Sequence, residues 1–103
     1  MCFKRKPVNY MKLATKNTLI AVGNYQDRSV SIWSYEVLSL LGVLQMDQGI
    51  TAMGFSDMVE LMVVATSDGR VYMFRYVKKE HIIDLTLIHC VDLKGDKMRE
   101  CLP

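Results

Sequence analysis

The most constraining feature of this 103-residue chain is an internal repeat of about forty residues. Asp27 and Asp68 lie 41 residues apart, and the apolar and aromatic residues that follow them keep the same offset. The matched pairs are Val30 with Val71, Ile32 with Met73, Trp33 with Phe74, and Tyr35 with Tyr76. A period of this length is typical of architectures that stack one supersecondary unit repeatedly. The sequence therefore predicts two copies of one structural unit.

Upstream of the two aspartates the offset becomes 42 residues, which indicates one additional residue in the first copy. The pairs at this offset are Val8 with Ile50, Leu13 with Phe55, Leu19 with Leu61, Ile20 with Met62, and Val22 with Val64. The offset changes near Tyr25 and Gln26, and insertions are best tolerated in surface loops between regular elements. We therefore expect an enlarged loop at this point.

Within each copy the local pattern predicts four short β-strands. The segment 61–65 is a continuous apolar run, as expected for a strand that is covered on both faces. Asp68 and Gly69 then form a turn signal, because Asp can bond nearby backbone groups and Gly accepts a positive φ. The predicted strands are 8–13, 18–23, 29–33 and 39–45 in the first copy, and 50–55, 61–65, 70–76 and 84–91 in the second.

These strands, with an aspartate-containing turn before an Ile-Trp strand end, resemble the blades of the WD-repeat β-propeller family. The resemblance covers about 8–93 and is carried by the segments 29–33, 50–56, 61–65 and 67–71. The family's Gly-His pair is missing, and its Trp-Asp dipeptide is replaced by Trp33-Ser34 and Phe74-Arg75. The resemblance therefore implies degenerate blades that are held by apolar packing, with Trp33, Phe55 and Phe74 in the blade core.

The predicted fold is all-β, with two four-stranded antiparallel blades of an incomplete β-propeller. We divide the chain into an N-terminal tail (1–7), a first blade (8–48), a second blade (49–93) and a C-terminal tail (94–103). Closed propellers have about 4 to 8 blades, and each repeat exposes apolar faces that neighbouring repeats cover. We therefore expect the chain to join further blades, in a longer propeller or by self-association. A self-contained β-sandwich binding domain, with the two copies packed face to face, is the alternative.

No catalytic or metal-binding pattern is found in the sequence. His81 and His89 would lie about 26 Å apart along a continuous strand, at ~3.3 Å per residue, which is too far for one metal ion. The sequence contains neither a Gly-x-Ser-x-Gly elbow nor a phosphate-binding glycine loop. We predict a protein that is not an enzyme and needs no cofactor or metal. A propeller-type hydrolase is the alternative, with Asn9, Lys12 and Thr51 as the polar residues of its channel, although no paired carboxylates accompany them.

Composition and charge exclude several partner classes. Thirteen basic and eleven acidic residues give a net charge of +2, which indicates neither a nucleic acid nor a membrane surface as partner. The longest apolar run, 37–44, is far shorter than the roughly 18–20 residues of a membrane helix. The charged segment 1–7 precedes no apolar region, so no signal peptide is predicted. The odd set of three cysteines favours reduced thiols. We expect a cytoplasmic protein.

Two exposed turns remain as candidate binding sites. We predict that protein partners contact Tyr25, Gln26, Arg28, Ser67 and Arg70, because Tyr and Arg often dominate interface energies. The neighbouring residues with a predicted structural role in these turns are Asp27, Asp68 and Gly69. The family resemblance implies scaffolding in multiprotein assemblies, and large members with degenerate repeats suggest the cilium or the cytoskeleton as the setting.

Overall fold

The computed structural model describes residues 8–94 and 97–100, and these residues form nine β-strands and no helix. The first sheet, called sheet 1, has the order β1-β2-β3-β4, and sheet 2 has the order β5-β6-β7-β8-β9. Each strand pairs antiparallel with its neighbours, so the predicted all-β class is confirmed. The strands are β1 (Tyr10–Ala14), β2 (Leu19–Asn24), β3 (Ser29–Ser34), β4 (Ser39–Gln45), β5 (Ile50–Ser56), β6 (Leu61–Thr66), β7 (Arg70–Lys78), β8 (Ile83–Lys94) and β9 (Lys97–Glu100).

Sheet 2 has one strand more than the sequence predicts. The segment Lys97–Glu100 was expected to be part of a C-terminal tail, but it pairs with the end of β8. Strand β8 continues to Lys94, beyond the predicted end at 91, and its free edge offers backbone groups to the returning chain. The segment 97–100 is mostly charged and lacks the apolar alternation from which a strand is predicted. The N-terminal tail 1–7 and residues 101–103 lie outside the described residues.

The backbone repeats with the offsets found in the sequence. The amide of Tyr35 donates to the carbonyl of Thr18, and the amide of Tyr76 donates to the carbonyl of Glu60, both at 3.0 Å. Thr18 and Glu60 both have a positive φ, of 55° and 50°. The turn between β2 and β3 has four residues, 25–28, where the turn between β6 and β7 has three, 67–69. The predicted one-residue enlargement is therefore found in the first turn.

The two sheets pack through faces that are not equivalent in the repeat. Because paired residues on adjacent strands share a face, register and burial together define an inner face, towards the other sheet, and an outer face of each sheet. The inner face of sheet 1 buries four apolar residues, Leu19, Ala21, Val30 and Ile32. Their repeat equivalents lie half-buried on the outer face of sheet 2; in the same order they are Leu61, Val63, Val71 and Met73. The inner face of sheet 2 buries Met62, Val64 and Phe74, whose equivalents Ile20, Val22 and Trp33 lie on the outer face of sheet 1.

The core lies between the two inner faces, and corresponding strands adjoin across it. β1 and β2 contact β5, and β4 contacts β8. Glycines allow close approach at both contacts, because a Cβ at Gly23 would lie 3.2 Å from Sδ of Met53 and one at Gly42 would lie 3.0 Å from Cγ2 of Ile83. Phe74 is buried and Phe55 packs against the core cluster. Trp33 is a correction to the predicted blade core: its side chain is 40% exposed, because it points from β3 to the outer face of sheet 1.

Candidate protein-interaction site

The two turns with predicted binding residues lie at one edge of the molecule, beside the connection from β4 to β5. We call this edge the rim, defined by the segments 25–28, 46–49 and 67–70. The amide of Met46 donates to the carbonyl of Arg28 at 2.7 Å, and the amide of Ser67 donates to the carbonyl of Gly49 at 2.9 Å. The connection 46–49 is therefore bonded to both turns, and it holds the first turn next to the second.

Tyr25 has a defined position on the rim although its side chain is half exposed. Its backbone amide donates to Oδ1 of Asn9 at 2.7 Å. Its ring lies against Gly49, where a Cβ would stand only 2.6 Å from Cε2 of the tyrosine. The ring is 48% exposed, so one side rests on the connection and the other is presented to solvent. Because the Tyr25 ring already has a fixed position, it can contact a partner with little further loss of side-chain entropy.

The first turn is held by polar side chains that the sequence analysis did not single out. The amide of Asp27 donates to Oδ1 of Asn24, three residues earlier, at 2.7 Å, so the Asn24 side chain caps the turn. Nε2 of Gln45 donates to the carbonyls of Asp27 and Arg28, at 2.8 and 3.1 Å. The guanidinium of Arg28 donates to the carbonyl of Asp47 at 3.1 Å. Asn24 thus provides the capping bond that closes the turn, and its place directly before the turn is the sequence signal that identifies it.

The second turn is a tighter version of the first. Gly69 has a φ of 82°, in the region that favours glycine, and a Cβ there would lie 3.1 Å from the carbonyl oxygen of Leu93. The hydroxyl of Thr66 donates to a carboxylate oxygen of Asp68, and Nε of Arg70 lies 3.7 Å from the other carboxylate oxygen. Asp68 and Gly69 both form part of this turn, and the partly exposed guanidinium of Arg70 lies beside it.

The five predicted binding residues all lie on the rim but differ in their contacts. Tyr25, Arg28 and Ser67 all contact the connection 46–49. Arg70 is paired with Asp68 of its own turn, and Gln26 is exposed in the first turn. Below the first turn, the outer face of sheet 1 has a cavity of about 390 Å³ with mixed polar and apolar walls. Its lining includes Asn24, Asp27, Ser29, Ser31, Val43 and Gln45.

The candidate metal and catalytic residues are not assembled into a site. Over the part of the chain that the structure describes, no group of three or more His, Cys, Asp or Glu side chains could hold a metal ion. His81 lies in the turn before β8 with Nε2 3.6 Å from Oε1 of Glu80, whereas His89 lies within β8. Of the residues named for a hydrolase, Asn9 accepts the amide of Tyr25, and Lys12 and Thr51 are exposed. Among the described residues, no helix is long and apolar enough to cross a membrane.

Burial raises the phenol pKa of two tyrosines, Tyr76 and Tyr72. Burial raises the pKa of Tyr76 above its usual value, and a hydrogen bond from Asn17 partly offsets this rise. The Tyr76 hydroxyl donates to the carbonyl of Ser56 at 3.0 Å and accepts from Nδ2 of Asn17 at 3.3 Å, so it joins the two sheets. Burial also raises the pKa of the Tyr72 phenol. A hydrogen bond with Arg70 partly offsets the rise for Tyr72, but burial is the larger effect for both tyrosines and keeps their phenols neutral.

No protein-family model and no curated protein matches this chain.

Proposed function

We propose that this chain is a non-catalytic protein-interaction module made of two WD-repeat-like propeller blades, with the rim as its partner-binding surface. The proposal keeps the predicted role as a scaffold in a larger, cytoplasmic protein assembly, without cofactor, metal or nucleic acid. The cilium and the cytoskeleton are the candidate settings that the family resemblance gives.

One observation carries the proposal: the two copies stack through non-equivalent faces. A propeller relates each blade to the next by one rotation, so the front of one blade meets the back of its neighbour. A sandwich formed by duplication would instead be expected to bring equivalent faces together around a twofold axis. Leu19 faces the core from sheet 1, whereas its equivalent Leu61 lies on the outer face of sheet 2, as expected if the front of one blade meets the back of the next. This packing favours blades over the sandwich alternative.

The rim supports a binding role because its exposed groups are already ordered. Interfaces are enriched in Tyr and Arg, and ordered side chains lose less entropy on binding. Tyr25 rests on Gly49, Arg28 is bonded to the backbone of Asp47, and Arg70 is paired with Asp68. These three large side chains present an aromatic ring and two guanidinium groups on one edge, which suits a protein surface with carbonyl and carboxylate acceptors.

The test compares rim variants with variants on the opposite edge of the sheets. Two rim variants are made: a double variant with Tyr25→Ala and Arg28→Ala, and a single variant with Arg70→Ala. Each removes rim groups whose backbone positions are fixed by neighbouring bonds. Partners are captured from cell extract by the tagged natural chain and identified by quantitative mass spectrometry, and each is then purified for direct titration. We expect the double variant to weaken the binding of a genuine partner by about tenfold or more, since interface hot spots cost over 1–2 kcal/mol each.

Met58→Ala is the matched control, because Met58 is 90% exposed in the turn between β5 and β6, at the edge opposite the rim. A partner that the rim recognises binds this control with unchanged affinity. If every captured protein binds the rim variants and the control equally well, the rim is not the binding surface and the proposal fails.

A further inference from the structure

We propose that the outer face of sheet 1 binds the outer face of sheet 2 of a second copy of this chain, head to tail. This inference specifies the surfaces and the geometry of self-association. It rests on the packing of the sheets and does not depend on what the rim binds, so each can fail without the other.

The outer face of sheet 1 is mainly apolar on the side away from the rim, and its polar strand residues, Asn24, Ser29, Ser31 and Gln45, lie on the rim side. Met11 and Leu13 on β1, Trp33 on β3 and Val43 on β4 are 57%, 51%, 40% and 55% exposed. No Asp, Glu, Lys or Arg occupies a strand position on this described face. An apolar depression of about 400 Å³ runs over it between Met11, Ile20 and Trp33. Exposed apolar surfaces of this kind mark interaction sites.

The interface inside the molecule indicates what kind of surface covers this face. The repeat equivalents of Met11, Ile20, Val22 and Trp33 are Met53, Met62, Val64 and Phe74, on the inner face of sheet 2. These four side chains are 8%, 0%, 0% and 6% exposed, because the inner face of sheet 1 packs on them. A face with the same arrangement of apolar groups should therefore accept a surface that resembles the inner face of sheet 1.

The chain itself carries such a surface. The outer face of sheet 2 carries the repeat equivalents of the four residues that sheet 1 places in the core, which are Leu19, Ala21, Val30 and Ile32. These equivalents are, in the same order, Leu61, Val63, Val71 and Met73. The sheets also share a break in register at the same repeat position, between Ile32 and Trp33 and between Met73 and Phe74. On this face Arg75 pairs with Leu61 and His89 pairs with Met73, so the apolar part of the surface lies over β6 and the neighbouring side of β7 and is bordered by these two polar side chains. A second copy can therefore add its sheet 2 to sheet 1 as the chain's own sheets already pack.

This contact is heterologous, because it joins two different surfaces of identical chains. Repetition of one rotation closes a ring if the angle fits, and otherwise extends a filament. Since closed propellers have about 4 to 8 blades, closure requires two to four copies of a two-blade chain. A finite ring leaves no apolar outer face exposed, which provides the driving force for closure.

Trp33 provides a direct probe, because it is the single tryptophan of the chain and lies on the proposed face. Sedimentation velocity and tryptophan emission are measured on the same concentration series of the purified chain. We expect discrete oligomers of two to four copies, with a blue shift of the emission over the same concentration range as Trp33 leaves water.

Two variants place a carboxylate on one face each. Leu13→Glu alters the outer face of sheet 1, and Met73→Glu alters the outer face of sheet 2, far from Trp33 of the same copy. Each should weaken association by about tenfold or more, because burial of an unpaired carboxylate is strongly unfavourable. Ile82→Glu is the control, since Ile82 is 49% exposed in the turn before β8, outside both faces, and this variant should assemble normally.

Mixing the two altered chains gives the decisive result. Each retains one intact face, and head-to-tail packing predicts a dimer in which only the Trp33 of the Met73→Glu copy becomes covered. If Met73→Glu alone associates like the natural chain, sheet 1 pairs with itself and the proposal is wrong. A folded monomer with exposed Trp33 at all concentrations also overturns it, and would assign these faces to blades of another chain.

Far-UV circular dichroism checks folding, and Ala52→Glu, at an exposed position of the same face, replaces Met73→Glu if that variant does not fold.

Discussion

The non-equivalent packing of the two sheets makes a quantitative prediction for one pair of leucines. Leu19 and Leu61 have the same position in the repeat, but Leu19 is fully buried and Leu61 is half-buried on the outer face. Truncation of a fully buried leucine to alanine costs about 3 kcal/mol, from lost burial and the cavity left behind. We expect Leu19→Ala to lower the free energy of unfolding by about 3 kcal/mol and Leu61→Ala by about 1 kcal/mol.

The assay is urea unfolding followed by far-UV circular dichroism, at a concentration where the chain sediments as a monomer. A chain of this length has a total stability of only about 5–15 kcal/mol, so the larger change moves the midpoint substantially while the smaller one moves it slightly. The slope of the transition should be the same for both variants, because both expose similar surface on unfolding.

Equal losses for the two variants would refute the reasoning. They would mean that the two leucines are equally buried in solution, as in a sandwich in which equivalent faces meet. A larger loss for Leu61→Ala would reverse the assignment of inner and outer faces.

Three further predictions address individual groups. Tyr76→Phe should destabilise the chain by about 1–2 kcal/mol in thermal or urea unfolding, because it removes the hydroxyl that joins the sheets. Because burial raises the pKa of Tyr76, its neutral phenol stabilises the folded state fully below pH 10.0, the usual pKa, and this contribution is lost as the pH rises through the raised pKa. The free energy of unfolding should therefore fall less steeply above pH 10.0 in Tyr76→Phe than in the natural chain. Gly49→Ala should displace the Tyr25 ring with little loss of stability, and proton NMR of that ring would detect the change; an unchanged spectrum would contradict the close contact. Leu38→Asn should raise the urea midpoint by an amount equivalent to about 0.5–1 kcal/mol, because Leu38 is 83% exposed with a φ of 54°, a conformation that Asn adopts more readily; a lower midpoint would contradict this.

The sequence alone determined the repeat, the all-β class and most strand positions. These features are local, because alternation of apolar residues and turn residues such as Asp68 and Gly69 specify strands and turns without reference to distant contacts. The one-residue enlargement of the first turn could also be predicted, because a change of offset between two copies is visible in the sequence itself. The binding residues were proposed from their exposure in turns, and the same pattern missed Asn24 and Gln45, whose bonds to the turn backbone depend on the folded geometry.

Only the tertiary structure decided which face of each sheet is buried. Both faces of β2 and β6 are apolar, so the alternation of residues could not distinguish the side that Leu19 occupies from the side that Ile20 occupies. The family resemblance implies a core position for Trp33, yet this residue lies on the outer face of sheet 1. The fifth strand of sheet 2 likewise depends on the free edge of β8, which exists only once β7 and β8 have paired. Burial is a property of two surfaces in contact, and the sequence of one strand specifies only one of them.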